Sequence, residues 1–341
     1  MTTLCLGEAL VDLIERQDRP GDIEKRAGGS PYNVACGLAR HGHETVLGSW
    51  WAKDSDGALI SAGLRANGVL VMDGSDTAPR TSTAKANLDE NFNATYTFDI
   101  DWRLPVGAEQ QPASHIHTGS YGATEEPGAS SVRAVIAAHP DATISYDPNI
   151  RPAIMAEQSV TVPIVEEIIG LSTLVKASDE DIAWMYGEHA SASEEALVEV
   201  CRRWLSLGPS LVVVTRGSEG AVAMSQGSEA MIAVPTSGTD VVDTVGAGDS
   251  FMAGLISGLL DAGLLGESAT PLSEATAEQI VAALVRASKN AGVTVAHTGV
   301  CALARGDRRL VEAWASTFRL VAAGPNALLS PATPPRRKSR G

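Results

Sequence analysis

The stretch Val242-Asp243-Thr244-Val245-Gly246-Ala247-Gly248-Asp249-Ser250-Phe251 places two glycines and an acid at the start of a helical pattern. It ends a strand-like segment. Residues 251–260, which follow, are apolar or glycine almost all round and predict a buried helix. Gly246 and Gly248 allow a tight turn that aims backbone N–H groups out of the helix start. Such unpaired donors, at the positive end of a helix, attract phosphate.

Asp249 lies in the middle of this predicted anion site. A carboxylate there would repel a resting phosphate, so it suggests a partner with a proton to give, such as a hydroxyl nucleophile. The alternative is that Asp249 only caps the helix, since aspartate is a preferred capping residue. Local chemistry leaves both interpretations open.

The composition excludes several functional classes. The chain has 341 residues, and its formal charge of −15 at pH 7 argues against a nucleic-acid surface, which needs a basic face. The N-terminus has no basic region and no long apolar run, and no segment reaches the length of a membrane span, so we expect neither a signal peptide nor a membrane partner. The 4 cysteines are scattered without a Cys-x-x-Cys pair, which indicates buried thiols in a reducing cytoplasm and no metal site.

Strand and helix patterns alternate along most of the chain and predict an α/β fold. Residues 222–224 and 231–234 predict an antiparallel hairpin at the edge of the sheet. A second predicted hairpin, with strands at 83–88 and 94–99 around a turn at 89–91, interrupts the alternation. Strands partly exposed on both faces suit a lid that moves, or one that meets a second lid in a homodimer.

Two stretches resemble the signatures of the ribokinase-like (PfkB) sugar kinases. Residues 243–251 are similar to the C-terminal signature, and Ala27-Gly28-Gly29-Ser30-Pro31-Tyr32-Asn33-Val34-Ala35 resembles the N-terminal one. The resemblance spans roughly residues 4–299. It implies a ribokinase-like three-layer α/β/α fold with a mainly parallel central sheet and a small β-sheet lid, formed from about 12–27 and 81–101. The kinase domain would occupy 1–320, and the Pro-rich, basic segment 321–341 would be a flexible tail.

The same resemblance implies a sugar site formed by Asp12, Gly28, Gly29 and Asn33. A carboxylate can accept hydrogen bonds from two vicinal hydroxyls, and an asparagine can both donate and accept. The alternatives are a surface acid for Asp12 and a structural turn for the glycines. Arg151 lies in the stretch 147–152, past the end of a predicted strand, where α/β sheets place ligands. It would meet substrate oxygen or phosphate charge, or it would pair with Asp147.

Nucleotide and metal contacts also follow from the resemblance. The nucleotide is expected at Ser178, Thr215, Gly217, Gly220 and Asn290. Ser178 and Asp181 replace an Asn-x-x-Glu pair that organises the magnesium and phosphate region in the family, and they also match a helix-capping pattern. A K⁺ site would use the side chain of Asp243 and carbonyls of Val245, Thr294, His297 and Gly299. His297 has the alternatives of stacking on adenine or being exposed.

These features imply an ATP-dependent sugar kinase. Asp249 would accept the hydroxyl proton, backbone N–H groups of Gly246, Ala247 and Gly248 would stabilise the moving phosphoryl group, and Mg²⁺ would bridge the ATP phosphates. Residues 147–152 most resemble fructokinases and keto-deoxygluconate kinases, and fructose, phosphorylated to fructose 6-phosphate, is the first expected substrate. Keto-deoxygluconate, ribose and nucleosides are the alternatives. A sugar-binding regulatory protein with the kinase fold is the non-enzymatic alternative.

Overall fold

The structure is a computed structural model that describes residues 1–16, 21–88, 94–226, 228, 230–237, 241–267 and 270–297. The strands of these residues are β1 (Thr2–Leu6), β2 (Leu10–Arg16), β3 (Ile23–Gly28), β4 (Glu44–Gly48), β5 (Leu70–Val71), β6 (Thr83–Leu88), β7 (Ala94–Asp99), β8 (His115–Gly119), β9 (Thr143–Asp147), β10 (Leu174–Ser178), β11 (Leu211–Thr215), β12 (Ala221–Ser225) and β13 (Ile232–Val234). The α-helices are α1 (Ser30–Arg40), α2 (Ser55–Asn67), α3 (Ser120–Thr124), α4 (Gly128–Ala138), α5 (Gln158–Gly170), α6 (Asp179–Tyr186), α7 (Glu194–Leu207), α8 (Ala247–Asp261) and α9 (Ala277–Val295).

The large sheet has the strand order β13-β12-β11-β10-β9-β8-β1-β4-β5 within the described residues. All neighbours from β11 to β5 pair in parallel, while β12 and β13 are antiparallel at one edge. The predicted edge hairpin is therefore confirmed. Because the strands run in parallel, the carboxyl ends of β1, β8, β9 and β10 lie at one edge of the sheet, where ligands bind in such folds.

Helices cover both faces of this sheet. Side chains of α1, α2, α8 and α9 form one core with residues of the central strands such as Cys5, Leu47 and Leu174. On the opposite face, α5, α6 and α7 pack on strands β9 to β12, and α4 packs on β1, β8 and β9. Helix α8 is buried along nearly its whole length, as its apolar sequence predicts.

A separate small sheet has the order β3-β2-β6-β7. The pairs β2–β3 and β6–β7 are antiparallel, while β2 and β6 run in parallel. Together the two sheets confirm the expected fold, a three-layer α/β/α domain with a small β-sheet. The predicted turn at 89–91 and the tail at 321–341 lie outside the described residues. Pairing of two small sheets in a homodimer stays a prediction.

The segment before α8 differs from the sequence expectation. No strand precedes α8 within residues 235–237 and 241–246, the described part of this connection. Val241 and Val242 are 68% and 64% exposed, so their β-branched side chains do not belong to a buried strand. The chain enters α8 as an irregular loop. Its Val242 N–H donates to the carbonyl of Val295 near the end of α9 at 2.7 Å.

None of the described helices combines the length and the apolar character of a membrane span.

Candidate active site

Asp249 lies in the first turn of α8, directly after a turn that needs glycine. Gly246, the residue before the helix, has a φ of 73°, in the left-handed region of backbone conformation. Residues with a Cβ adopt this region at an energetic cost. The Asp249 side chain is only 7% exposed. Its two carboxylate oxygens accept hydrogen bonds at 2.7 Å from Ser30 Oγ and from Asn33 Nδ2. Within the described residues no backbone N–H of α8 bonds this carboxylate, so it does not serve as a helix cap.

The two donors to Asp249 both come from the first turn of α1. Gly29 precedes this helix with φ 109°, and a Cβ there would lie 2.4 Å from the Glu8 carbonyl oxygen, so glycine is required. Pro31 follows at the start of the helix, where a missing N–H is tolerated. The N-terminal signature thus places Ser30 and Asn33 against an acid more than 200 residues away in sequence. The family resemblance implied a sugar contact for Asn33 and no role for Ser30 in the site.

Glu8 anchors the same corner of the site. Its side chain is 4% exposed and accepts hydrogen bonds from Gly122 N–H at 2.8 Å and Ser30 N–H at 3.4 Å. Burial raises the pKa of Glu8 to about 7, and the hydrogen bonds that it accepts act in the opposite direction. Glu8 therefore ties the start of α1 to α3. The signal for it in the sequence was an acid next to a buried strand, directly after Gly7.

Asp12 faces the site from the small sheet. It lies on β2 opposite Arg26 of β3, and a Cβ on Gly28 would lie 2.5 Å from its carboxylate oxygen Oδ2. Burial raises the pKa of Asp12 to about 6; Arg26 opposes the rise, and the negative charge of Asp249 adds to it. Within the described part of the chain no hydrogen-bond donor reaches this carboxylate. The structure thus brings Asp12, Gly28 and Asn33 together around Asp249.

Asp147, the last residue of β9, forms a buried ion pair with Lys176 in the middle of β10. Lys176 Nζ donates to Asp147 Oδ2 at 2.9 Å, and the two side chains are 4% and 0% exposed. The alternative pairing of Asp147 with Arg151 is therefore wrong. Arg151 is exposed, and its guanidinium donates to the carbonyl of Ile150. A contact between Arg151 and a substrate stays a prediction.

Ser178 and Asp181 form the capping box that their sequence pattern allowed. Each side chain accepts from the other residue's backbone N–H at the start of α6. Asp181 also accepts from Ile150 N–H at 2.8 Å, so both of its oxygens bond backbone amides. No group of three or more His, Cys, Asp or Glu in the described residues is arranged to hold a metal ion. These residues therefore fit a structural role and do not form a protein cage for Mg²⁺.

The other predicted nucleotide residues are spread over two places. Thr215 ends β11 opposite Ser178 of β10, Gly217 begins the short 3-10 turn after it, and Gly220 follows that turn. Asn290 does not join them. It is fully buried on α9, where its Nδ2 lies 2.7 Å from His41 Nε2 and 3.4 Å from the Ser250 carbonyl. Its placement supports a contact between helices and not one with the nucleotide.

Three of the predicted K⁺ ligands, Asp243, Thr294 and His297, lie at or close to the end of α9. Backbone N–H groups of Val242 and Asp243 both donate to the Val295 carbonyl, which brings the loop before α8 to this helix end. Helix carboxyl ends carry partial negative charge, so a cation is favoured there. Asp243 Oδ1 accepts from Val245 N–H at 3.0 Å, and Asp243 Oδ2 lies 3.7 Å from Arg26 Nη1.

Thr294 and His297 lie at the same helix end. Thr294 is buried, and its hydroxyl donates to Ser250 Oγ at 2.7 Å. His297 Nδ1 lies 2.8 Å from the Val293 carbonyl. Gly299 lies outside the described residues. The structure thus brings Asp243 close to the end of the helix that carries Thr294, and a K⁺ site formed by these residues stays a prediction.

Residues 2–305 match the pfkB family carbohydrate kinases, and the chain belongs to this family. A fructokinase from Rhizobium leguminosarum bv. trifolii is 32% identical over 268 residues, which are 75% of this chain and 79% of that one. A fructokinase from Klebsiella pneumoniae is 30% identical over 295 residues, 84% of this chain and 93% of that one.

Among solved structures, a double mutant of the fructokinase from Vibrio cholerae O395 was determined with fructose, ADP and a potassium ion. It superimposes with a TM-score of 0.70 at 25% identity, over 87% of this chain and 93% of that chain. The chain is a sugar kinase of this family.

Proposed function

We propose that the protein transfers the γ-phosphoryl group of ATP to a hydroxyl of fructose, giving fructose 6-phosphate. The observation that supports this most directly is the position of Asp249. This acid lies at the amino end of α8 and accepts hydrogen bonds from Ser30 and Asn33. It faces Asp12, which lies on the small sheet. An acid among phosphate-attracting N–H groups suits a hydroxyl nucleophile better than a resting anion.

In the proposed reaction Asp249 accepts the proton of the attacking hydroxyl. The backbone N–H groups at the start of α8 stabilise negative charge on the phosphoryl group as it moves. Asp12, whose carboxylate has no hydrogen-bond donor within the described residues, accepts from hydroxyls that do not react. In a loose phosphoryl-transfer transition state, positioning and charge stabilisation contribute more than a strong base.

Magnesium enters the proposal with the nucleotide. Mg²⁺ is usually held by substrate phosphates together with one or two carboxylates, and it neutralises phosphate charge when bound. The described residues offer no cluster of three ligands, and the oxygens of Asp181 already bond backbone amides. The nucleotide phosphates would therefore supply most of the ligands of Mg²⁺.

Fructose is proposed first because the relatives at about 30% identity are fructokinases. The charges of the site support a neutral sugar. Asp12 and Asp249 are both acids, so a substrate carboxylate, as in keto-deoxygluconate, would be disfavoured next to either of them because like charges repel. Ribose and keto-deoxygluconate are the comparison substrates.

The experiment is a screen of sugars with ATP and Mg²⁺ that follows ADP release by the purified protein. We expect fructose to give the highest kcat/KM. The matched variant is Asp249→Asn, which keeps the size of the side chain but removes the proton acceptor. It should abolish turnover while its melting temperature and ATP affinity stay close to those of the wild type. A folded Asp249→Asn protein that retains most of the wild-type kcat would overturn the role of Asp249.

A further inference from the structure

Lys176 places a positive charge inside the protein, directly beside the anion-binding turn of α8. It lies on β10 between Val175 and Ala177, and its side chain is 4% exposed. A Cβ on Gly248 would lie 3.1 Å from Lys176 Nζ. Gly248 is the second residue of α8 and precedes Asp249 in the chain. The ammonium group therefore packs against the helix turn whose N–H groups are proposed to bind the phosphoryl group.

The hydrogen bonds of this ion pair are incomplete. An ammonium group has three donors, and the described residues provide one acceptor, Asp147 Oδ2 at 2.9 Å. The other oxygen of Asp147 is buried and has no hydrogen-bond partner in the part of the chain that the structure describes. Buried polar groups are usually satisfied, so a charged pair with open positions points to a ligand.

Stability gives a weak reason for keeping such a pair. A buried ion pair often contributes less to stability than apolar side chains of similar volume would, because both charges lose their hydration. Burial acts to lower the pKa of Lys176, but the charge and hydrogen bond of Asp147 outweigh it and hold the pKa above its usual value. Lys176 therefore carries a positive charge at neutral pH. His117, which also faces it, stays neutral because burial lowers the pKa of its imidazole to about 3.

The other charges near Lys176 are acids. Asp181 and Asp249 both interact with it electrostatically, in addition to Asp147. Phosphoryl transfer brings further negative charge to the start of α8. Without a cation at this point, the phosphate oxygens would face three carboxylates.

We propose that Lys176 is a catalytic residue that donates a hydrogen bond to the transferred phosphoryl group, and that Asp147 is its positioning residue. This inference rests on the proposed kinase activity. In the reaction, the sugar oxygen forms a bond to the γ-phosphorus, and the bond from this phosphorus to the β–γ bridging oxygen breaks. The bonding electron pair leaves with ADP, and the hydroxyl proton goes to Asp249. Lys176 keeps its own proton throughout and stabilises charge on the γ-phosphoryl oxygens.

The first test compares Lys176→Met with Lys53→Met. The second variant removes a lysine whose side chain is 74% exposed and serves as the control for the loss of one positive charge. For Lys176→Met we expect kcat to fall by about 100-fold or more, as for other preorganised donors, with KM for fructose changed less than about threefold. Lys53→Met should behave as the wild type.

Nucleotide affinities measured without sugar give a second test. The preference for ATP over ADP would not change if Lys176 had only a structural role. Calorimetry gives the affinities for ADP and for a non-hydrolysable ATP analogue. In Lys176→Met the preference for the analogue over ADP should fall by about tenfold, because the lost hydrogen bond is to the γ-phosphoryl group. A folded Lys176→Met protein with wild-type kcat and unchanged nucleotide preference would overturn the proposal.

Two further variants keep the proposal testable if Lys176→Met does not fold. Lys176→Arg retains the charge and should lose less activity than the methionine variant. Asp147→Asn removes the charge that holds the Lys176 ammonium group in position. We therefore expect kcat to fall, while some preference for the ATP analogue over ADP remains. If both variants keep the wild-type kcat and nucleotide preference, the assignment is wrong. A wild type that binds the ATP analogue but does not phosphorylate fructose would overturn the fructokinase proposal alone.

Discussion

Replacing Asn33 with alanine tests whether this residue positions the proposed base or serves only the sugar. The side chain donates to Asp249 Oδ2 at 2.7 Å, and Asp249 is 7% exposed, so water replaces the lost donor poorly. A hydrogen bond to a charged group contributes about 1.5–3 kcal/mol. If the variant loses this orientation in the transition state, kcat falls by about 10- to 150-fold, at 1.36 kcal/mol per decade.

The assay is steady-state kinetics of ADP release with fructose and ATP varied separately. Ser30→Ala is the matched variant, because Ser30 Oγ donates to the other oxygen of the same carboxylate at 2.7 Å. We expect both single variants to lower kcat. The double variant should lose less than the product of the two effects, since the donors act on one group.

The pattern of kcat and KM decides between the two roles. A role confined to sugar binding would raise KM for fructose in Asn33→Ala and leave kcat unchanged, and it would leave Ser30→Ala close to the wild type. Such a result, obtained with folded proteins of unchanged melting temperature, would refute the positioning of Asp249 by α1.

The other predictions concern the sugar site, the cation and the backbone. Asp12→Ala should raise KM for fructose about tenfold or more, because each lost charged hydrogen bond costs about 1.5–3 kcal/mol, and should leave KM for ATP nearly unchanged. Since burial, with the charge of Asp249, raises the pKa of Asp12 to about 6 against the effect of Arg26, the carboxylate loses its charge as pH falls through about 6. The kcat/KM for fructose should fall below this pH, and Asp12→Asn should remove this limb of the profile. K⁺ should stimulate turnover more than Na⁺; equal rates in matched KCl and NaCl would contradict the site at Asp243. Gly29→Ala should yield little folded protein, because φ is 109° and the Cβ would lie 2.4 Å from the Glu8 carbonyl oxygen; a wild-type melting temperature would contradict this.

The features predicted well from the sequence are those that local chemistry decides. The antiparallel hairpin predicted at 222–224 and 231–234 is present as β12 and β13. Ser178 and Asp181 matched a capping box, and both of its hydrogen bonds are present. Each of these features depends on residues close to one another in the chain, so the sequence alone can identify them.

Predictions failed where the environment of a segment depends on distant parts of the chain. The segment before α8 resembled a strand, but no strand forms in its described residues, and the loop bonds the end of α9 instead of a neighbouring strand. The pairing of Asp147 with Arg151 was plausible because the two are close in sequence. The actual partner, Lys176, lies on the adjacent strand β10 and is 29 residues away.

The contacts that define the candidate site are the hardest to predict without a fold, and the reason is geometric. Ser30 and Asp249 are separated by 219 residues, and their hydrogen bond exists because α1 and α8 pack on the same face of the sheet and start at the same edge. A pattern of neighbouring residues in the sequence cannot predict a contact between two helices that are this far apart in the chain. The sequence did carry one usable signal for Lys176. This lysine lies between Val175 and Ala177 inside an apolar strand, and a strand that is covered on both faces buries such a side chain. A lysine is seldom fully buried without a charged partner, so this position alone justified a search for an acid at the end of a neighbouring strand. Asp147, which ends β9 immediately before Pro148, was the acid to test.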